Sequence, residues 1–205
     1  MRAIASIPLR LVVVGMLVFT SVPVALGQGR AEALREWYTL ANGRTEFEVS
    51  DPALLPSRLA LAAEHSGCRY KEGIEQNPIS FIKLGSRRLA IVFCHAFVGS
   101  HQVFDLSNLE RPRTVEFPFL AQPGRFGTTV RPGGITWKKE VGIFQAVMGS
   151  DKLPTMRVRH TYRFEENQHS PTFVIVRVEG QWVPGQDEWT TIWDAQRWSF
   201  PALPK

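Results

Sequence analysis

Short runs of apolar and polar residues fill the chain from Ile79 onward, and Gly, Pro and Asn interrupt them. This pattern is typical of antiparallel strands joined by turns. The clearest run is MRVRHTYRF, residues 156–164. Successive side chains of a strand point to opposite faces, so one face is predicted to be apolar, with Met156, Val158, His160, Tyr162 and Phe164. The other face is predicted to be basic, with Arg157, Arg159, Thr161 and Arg163.

The next run, TFVIVRVEG at 172–180, is predicted to pair with this strand through the connection EENQHSP. Matching the apolar faces gives three opposing pairs: Val158 with Val178, His160 with Val176, and Tyr162 with Val174. The residues predicted to lie beside the arginines are then Phe173, Ile175, Arg177 and Glu179. A slip of one residue would bury the arginines, so the register is restricted to steps of two.

Two more hairpins are predicted from turns that contain glycine. Gly99-Ser100 suits a two-residue type II′ turn, because glycine readily takes the positive φ of the first central position. In the register that this turn sets, Cys94 lies opposite Asp105 and His95 lies opposite Phe104. The stretch TTVRPGGITW predicts a second hairpin with residues 131–134 as its loop.

The first half of the chain predicts short helices. One is expected at 31–40, ended by Asn42-Gly43, and another at 58–64, capped by Ser57 and ended by Gly67. Asp51 followed by Pro52 also resembles a helix start. Six to eight strands in sequential hairpins follow, with no alternation of strand and helix. The predicted fold class is therefore mainly β: a single antiparallel β-sandwich or strongly curved sheet with one or two short N-terminal helices.

The N-terminus has the layout of a secretory signal peptide. MRAIASIPLR carries two arginines and no acid, and the uncharged LVVVGMLVFTSVPVALG follows it. Ala25 and Gly27 are small residues at the positions that a signal peptidase reads, so cleavage after Gly27 is expected. The predicted organisation is a signal peptide at 1–27, an N-terminal segment at 28–50 and a single β-rich domain at 51–205. An uncleaved membrane anchor at 11–29 is the alternative, because that stretch approaches the ~20 residues that span a bilayer.

Charge and length narrow the class of protein. Removal of 1–27 would leave 178 of the 205 residues and would lower the basic residues from 24 to 22 against 19 acids, a net charge of +3. Nucleic-acid binders concentrate positive charge much more strongly, so no nucleic-acid partner is predicted. The length fits one domain with a hydrophobic core. The predicted location is periplasmic or secreted, with no membrane span after cleavage.

The pair Cys94-His95 is predicted not to be a nucleophile with its base. Neighbouring side chains of a strand point to opposite faces, and Asp105, opposite Cys94 in the predicted register, would disfavour a thiolate. Cys68 is the only other cysteine. Two cysteines in an exported chain favour a structural disulfide, Cys68–Cys94, that joins the N-terminal helix to the sheet. A free reactive thiol and an intermolecular disulfide are the alternatives.

The histidines and the known motifs predict neither a metal site nor a cofactor. The chain has no His-Glu-x-x-His spacing, calcium loop, Walker loop or Gly-x-Ser-x-Gly elbow. His95 and His160 are predicted to lie in the core, and His101 and His169 in turns. Trp193 and Trp198 are predicted to pack and to anchor the end of the chain.

The predicted binding residues are four arginines on one strand face: Arg157, Arg159, Arg163 and Arg177. Guanidinium groups make forked contacts with phosphate and carboxylate, which favours an anionic envelope component or the acidic surface of a secreted protein as partner. A solvated outer face is the simpler alternative. The predicted function is thus an exported, non-catalytic binding or accessory protein. An exported hydrolase with catalytic residues dispersed over loops is one alternative, and a structural subunit of an envelope assembly is another.

One stretch resembles a known family. LAIVFCHAFVGSHQVFDL leading into RPRTVEFPF, with the later TTIWDAQRW, resembles in outline the second half of a family of uncharacterised secreted proteins from Gram-negative bacteria. In that family an apolar strand ends at a cysteine and continues through a turn into another strand. The resemblance covers residues 65–200 and implies an exported domain that contains a disulfide, with no functional residue carried over.

Overall fold

The computed structural model describes residues 22–95, 100–122, 125–149, 156–166, 171–182 and 188–195. The α-helices are α1 (Val22–Ala41) and α2 (Ser57–His65), and short 3₁₀ helices cover Pro52–Leu54, Tyr70–Glu72 and Lys139–Val141. The strands are β1 (Phe47–Val49), β2 (Ile79–Leu84), β3 (Arg87–Cys94), β4 (Ser100–Asp105), β5 (Arg113–Thr114), β6 (Phe117–Gln122), β7 (Arg125–Thr129), β8 (Gly134–Lys138), β9 (Ile143–Gly149), β10 (Arg157–Glu166), β11 (Pro171–Gln181) and β12 (Thr190–Asp194).

The strands confirm the predicted fold class, which is mainly β and antiparallel with N-terminal helices. The first sheet has the order β1-β2-β3-β4-β5, and the second has the order β12-β11-β10-β9-β8. Strands β6 and β7, which come between the two sheets in the chain, form a separate hairpin, called the central hairpin here. Each strand therefore pairs with its neighbour in the chain. The described residues hold twelve strands instead of the predicted six to eight, because several are only two to five residues long.

The first sheet is buried on both faces. One face packs with α1 and α2 in a helical core that includes Trp37, Leu59, Phe81 and Phe104. The other face contributes Ile82, Leu89, Ile91 and Val103 to a core shared with the central hairpin and the second sheet. Leu89 to Val92 are consequently all buried. Burial on both faces explains why β3 reads as a continuous apolar run and not as an alternating one.

The helix ends follow the predicted signals, with one exception. Gly67 has φ +75° and, with Cys68, donates its N–H to the last turn of α2, so it ends that helix as predicted. Helix α1 is longer than the predicted 31–40 but ends at Asn42 and Gly43, as expected. The prediction that Ser57 caps α2 is wrong, because Pro56 holds the cap position. Ser57 is the first helical residue, and its N and Oγ both donate to Glu36 of α1.

The disulfide Cys68–Cys94 is present, as predicted. Cys68 follows α2 and Cys94 ends β3, and both are almost fully buried. The bond therefore holds the helical layer against the first sheet. Closing a loop of 26 residues in the unfolded chain stabilises the native state by about 3.5 kcal/mol in the chain-entropy model.

The two predicted hairpin turns are wrong. Cys94 pairs with Ser100, so β3 and β4 are joined by residues 95–99, of which 96–99 lie outside the described residues. Cys94 therefore does not face Asp105, which pairs with Leu89. The hairpin of β3 and β4 is thus present with a longer connection than predicted. Residues 131–134 do not close a hairpin, because β7 pairs with β6 and β8 pairs with β9. Gly133 has φ +97°, and a Cβ there would lie 2.1 Å from the Val147 carbonyl oxygen, so glycine lets this connection run against β9.

The pairing of β10 with β11 differs from the predicted register. His160 pairs with Val178, two residues from the predicted Val176, which keeps the predicted faces. The register then shifts by one after Arg177, so Val176 is bulged and Tyr162 pairs with Ile175. Beyond the bulge the faces exchange, and Phe173 and Ile175 are buried in the core instead of lying beside the arginines.

Polar contacts tie the two sheets together near their ends. Both the N–H and the hydroxyl of Ser86, in the turn between β2 and β3, donate to Glu166 at the end of β10. Lys139, after β8, forms an ion pair with Glu46, before β1. The Arg131 guanidinium donates to the Ser66 carbonyl, which ties the segment before β8 to the end of α2.

No helix within the described ranges has the length and apolar composition needed to cross a bilayer. The predicted signal peptide falls mainly on residues 1–21, which lie outside those ranges. The predicted N-terminal segment at 28–50 includes Trp37, Phe47 and Val49, which are part of the helical core.

His160 confirms the prediction of a core histidine. It is 1% exposed, and its Nε2 accepts a hydrogen bond from the Leu120 N–H at 3.1 Å. Leu120 belongs to β6, so this contact joins the central hairpin to the second sheet. Burial lowers the pKa of His160 from 6.5 to about 4, because the charged imidazolium would be desolvated.

We expect acid to destabilise the fold through His160. The unfolded chain binds a proton near pH 6.5 and the native state binds one only near pH 4, so stability should fall as pH drops through this window. The loss attributable to His160 is roughly 3 kcal/mol. Urea unfolding of the wild type and of His160→Gln, which keeps an acceptor for Leu120 but does not titrate, measures it. The difference in unfolding free energy between the two proteins should change across the window. A constant difference would show that His160 is not responsible.

Candidate functional site

The four predicted arginines lie on one face of the second sheet. Arg159 pairs across the strands with Glu179, and Thr161 pairs with Arg177, whereas His160 and Tyr162 point into the core. The side opposite the core is called the outer face here. Arg157, Arg159, Arg163 and Arg177 together are called the arginine face.

Carboxylates already neutralise most of the arginine face. Arg159 donates to Glu179 at 2.8 Å, Arg177 to Asp194 at 3.2 Å, and Arg163 to Glu165 at 2.8 Å. The indole of Trp189 covers the Arg159 guanidinium, 4.3 Å from the ring centroid. An incoming anion would compete with these internal partners, so the face is less electropositive than its arginines alone suggest.

The ion pairs of the arginine face differ in how far they are buried. The Arg159 and Glu179 side chains are 23% and 10% exposed, and those of Arg163 and Glu165 are 61% and 49% exposed. Arg157 is also exposed. Arg159 therefore belongs to the packing of the sheet. Arg157, Arg163 and Arg177, whose side chain is 47% exposed, reach solvent.

A cleft of about 480 Å³ opens where the edges of the two sheets meet. It is called the edge cleft here, and it is lined by Glu46, Phe47, Glu48, Pro78, Ser80, Phe81, Ile82, Ile91, His101, Ile135, Thr136 and Trp137. Its walls come from β1, β2, β3 and β4 of the first sheet and from β8 of the second. The base is apolar, because Ile82, Ile91 and Ile135 reach it from the shared core.

The edge cleft also has polar groups that make few hydrogen bonds within the protein. Glu46 accepts from Lys139 Nζ at 2.6 Å, and Glu48 accepts from the Ser80 hydroxyl at 3.2 Å. The Trp137 ring packs against Phe144 at 4.6 Å, and its Nε1 is buried with no hydrogen-bond partner among the described residues. An apolar base with several polar groups around it is the usual character of a small-ligand site.

His101 joins the sheets at the inner end of the cleft. The predicted turn position is wrong, because His101 lies in β4 and stacks edge-on against Phe93. Its N–H donates to the Gly133 carbonyl at 2.8 Å, and its Nδ1 accepts from the Ile135 N–H at 3.1 Å. Burial lowers the pKa of His101, so the ring is neutral at pH 7. Because Nδ1 is the acceptor, the proton resides on Nε2.

The other histidines that the structure describes, His65 and His95, do not form a site. His95, predicted in the core, is exposed, and its Nδ1 lies 3.3 Å from the Glu72 carboxylate. His65 is exposed in the last turn of α2, and His169 lies outside the described residues. In the part of the chain that the structure describes, no three His, Cys, Asp or Glu side chains are grouped to hold a metal ion.

The tryptophans have mixed positions. Trp193 packs against the shared core, as predicted, and Phe126 of the central hairpin meets it edge-on at 5.8 Å. Trp198 lies outside the described residues. Trp137, which the sequence did not single out, is the tryptophan of the edge cleft.

Comparison of the chain with protein-family models, with curated proteins and with solved structures gives no match. The resemblance to secreted Gram-negative proteins therefore stays a prediction. The candidate site rests on geometry alone.

The division of the arginine face predicts unequal effects on stability. Replacing Arg159 by Gln leaves the Glu179 carboxylate without its cation in a largely buried position and should lower the unfolding free energy by roughly 2 kcal/mol. Replacing Arg163 by Gln should change it by less than about 0.5 kcal/mol, because its pair is exposed. Urea unfolding of the two variants measures both values. Equal losses would contradict the assignment of Arg159 to the packing.

Proposed function

We propose that this chain is an exported, non-catalytic binding protein of the cell envelope that holds its ligand in the edge cleft. The observation that carries this proposal is the cleft itself. Its volume of about 480 Å³ is within the roughly 300–1,000 Å³ of small-ligand sites. It combines an apolar base with carboxylate, hydroxyl and indole groups, and it lies between two sheets whose edges are fixed by hydrogen bonds.

The disulfide supports the exported location. A buried disulfide persists in oxidising compartments and is rare in the cytosol. Cys68 and Cys94 are 1% and 0% exposed, so the bond serves packing and is not a redox centre open to partners.

The hydrogen bonds of His101 favour binding over hydrolysis. A histidine that activates a hydroxyl needs a ring nitrogen free to accept its proton. In His101 the accepting nitrogen is Nδ1, and the Ile135 N–H occupies it. The other nitrogen carries the proton and can only donate, which suits the recognition of a ligand oxygen and not general-base catalysis.

Blocking the cleft with a larger side chain should weaken ligand binding. The probes are spermidine, maltotetraose and glutarate, which are cationic, neutral and anionic, and saturation-transfer NMR detects their contact with the protein. At least one probe should bind the wild type, and Ser80→Phe should weaken that binding about tenfold or more by filling the cleft. Ser50→Phe, at an exposed position that does not line the cleft, is the matched control. Failure of all three probes on the wild type, or binding that survives Ser80→Phe, would contradict the proposal.

An anionic partner on the arginine face is the second candidate. The exposure of Arg157 and Arg163 favours it, because their guanidiniums reach solvent without disturbing the Arg159 pair. The contact would be electrostatic and would weaken with salt.

This second candidate predicts retention on anionic vesicles. Arg157→Ser with Arg163→Ser should weaken sedimentation with phosphatidylglycerol vesicles several-fold and leave the melting temperature nearly unchanged, because both side chains are exposed. The matched control is Arg111→Ser with Arg113→Ser, two exposed arginines of the same total charge. Phosphatidylcholine vesicles give the neutral baseline. An equal loss in the control pair would show that net charge, and not this face, determines retention.

A further inference from the structure

A cationic group of the chain itself stands at the rim of the edge cleft. The Lys139 ammonium lies 2.6 Å from the Glu46 carboxylate, across 93 residues of sequence. Glu46 precedes β1 at the edge of the first sheet, and Lys139 follows β8 at the edge of the second. The ion pair therefore bridges the two walls of the cleft, with an ammonium on an aliphatic stem at its rim.

This bridge is easily exchanged. The Lys139 and Glu46 side chains are 65% and 32% exposed, and ion pairs at such positions contribute little to stability. A cation from solution can therefore take the place of Lys139 on Glu46 at small cost to the fold.

A second carboxylate extends the same site. Glu48 lies on the side of β1 that faces the cleft, and the hydrogen bond that it accepts comes from Ser80, a neutral donor. A carboxylate keeps further acceptor positions after one such bond. Glu46 and Glu48 together can hold a ligand with one or two protonated nitrogens.

The remaining lining suits the stem of such a ligand. Ile82, Ile91 and Ile135 form an apolar base for methylene groups. Trp137 stands beside them, and indole is the aromatic side chain that attracts cations best. Among the described residues that line the cleft, the acids are Glu46 and Glu48 and none is a lysine or arginine, so Lys139 at the rim is the cation next to them, although the chain as a whole has a net charge of +5. The charge at the cleft is thus opposite in sign to that of the protein.

We propose that the edge cleft recognises an organic cation, an ammonium group on an aliphatic stem, and that Lys139 occupies part of the cation position until the ligand displaces it. This inference rests on the proposed function of the cleft. The ammonium belongs either to a free polyamine or to a lysine side chain of a peptide, which share this chemistry.

Binding of spermidine and of acetyl-Gly-Lys-Gly-amide to the purified protein, measured by calorimetric titration, tests the inference. Lys139→Gln frees Glu46 and should tighten binding about threefold to fivefold, because the ligand no longer has to break an exposed ion pair. Lys138→Gln removes the same charge from the neighbouring exposed position and should change binding less than about twofold, because screened charges at the rim contribute little. Glu48→Gln should weaken binding about tenfold, because it removes a charged acceptor.

The outcomes distinguish failure of the organic-cation proposal from failure of the proposed binding function. Tighter binding of spermidine than of the tripeptide assigns the site to free polyamines, and the reverse order assigns it to basic side chains. Equal gains for Lys139→Gln and Lys138→Gln would overturn the displacement of Lys139. If maltotetraose or glutarate binds in a manner that Ser80→Phe blocks and neither cation binds, the cation class is wrong and the binding function stands. If no probe binds, both fail.

Discussion

The structure depends on burying both faces of the first sheet. Strand β3 has buried side chains on either side, so neither face can be left to water. The helices cover one face, and Trp37 of α1 packs edge-on against Phe81 at 5.6 Å. The second sheet and the central hairpin cover the other. The disulfide fixes the helical layer by joining the end of α2 to the end of β3. The second sheet is the layer that keeps one face, the outer face with Arg157, Arg163 and Arg177, in contact with solvent.

The edge cleft forms because the second sheet ends at β8 and does not cover the whole face of the first sheet. The core-facing side of the first sheet is apolar at Ile82, Leu89 and Val103 and becomes polar at Ser80 and Glu48. Strand β8 approaches this boundary and is held there through His101, which bonds to the backbone on both sides of Gly134. The polar residues of β1 and β2 therefore face a gap instead of a core, and the hydrogen-bonded backbone of the paired strands positions them around it. Such preorganisation lowers the entropic cost of holding a ligand.

The sequence predicted what local periodicity and chemistry determine. Alternation placed Arg157, Arg159 and Arg163 on one face, glycine marked the end of α2, and the export context led to the Cys68–Cys94 disulfide. The register was not predictable, because the bulge at Val176 inserts a residue without any Gly or Pro to mark it, and it exchanges the faces of Phe173 and Ile175. The edge cleft was not predictable either, because Glu48, Ser80 and Trp137 come from separate strands and meet only through the topology.

The arginine face and the edge cleft differ in where their counter-charges come from. In the arginine face, cross-strand neighbours supply the counter-charges of two arginines: Glu179 lies directly opposite Arg159, and Asp194 directly opposite Arg177. The strand register places the two members of each pair opposite each other, so these charges mainly stabilise the contact between neighbouring strands. At the edge cleft the counter-charge comes from Lys139, which follows β8 of the other sheet, through a long side chain at an exposed rim. A pair that the backbone does not enforce can open without loss of a strand contact, so ligand exchange is expected at the cleft rather than on the face.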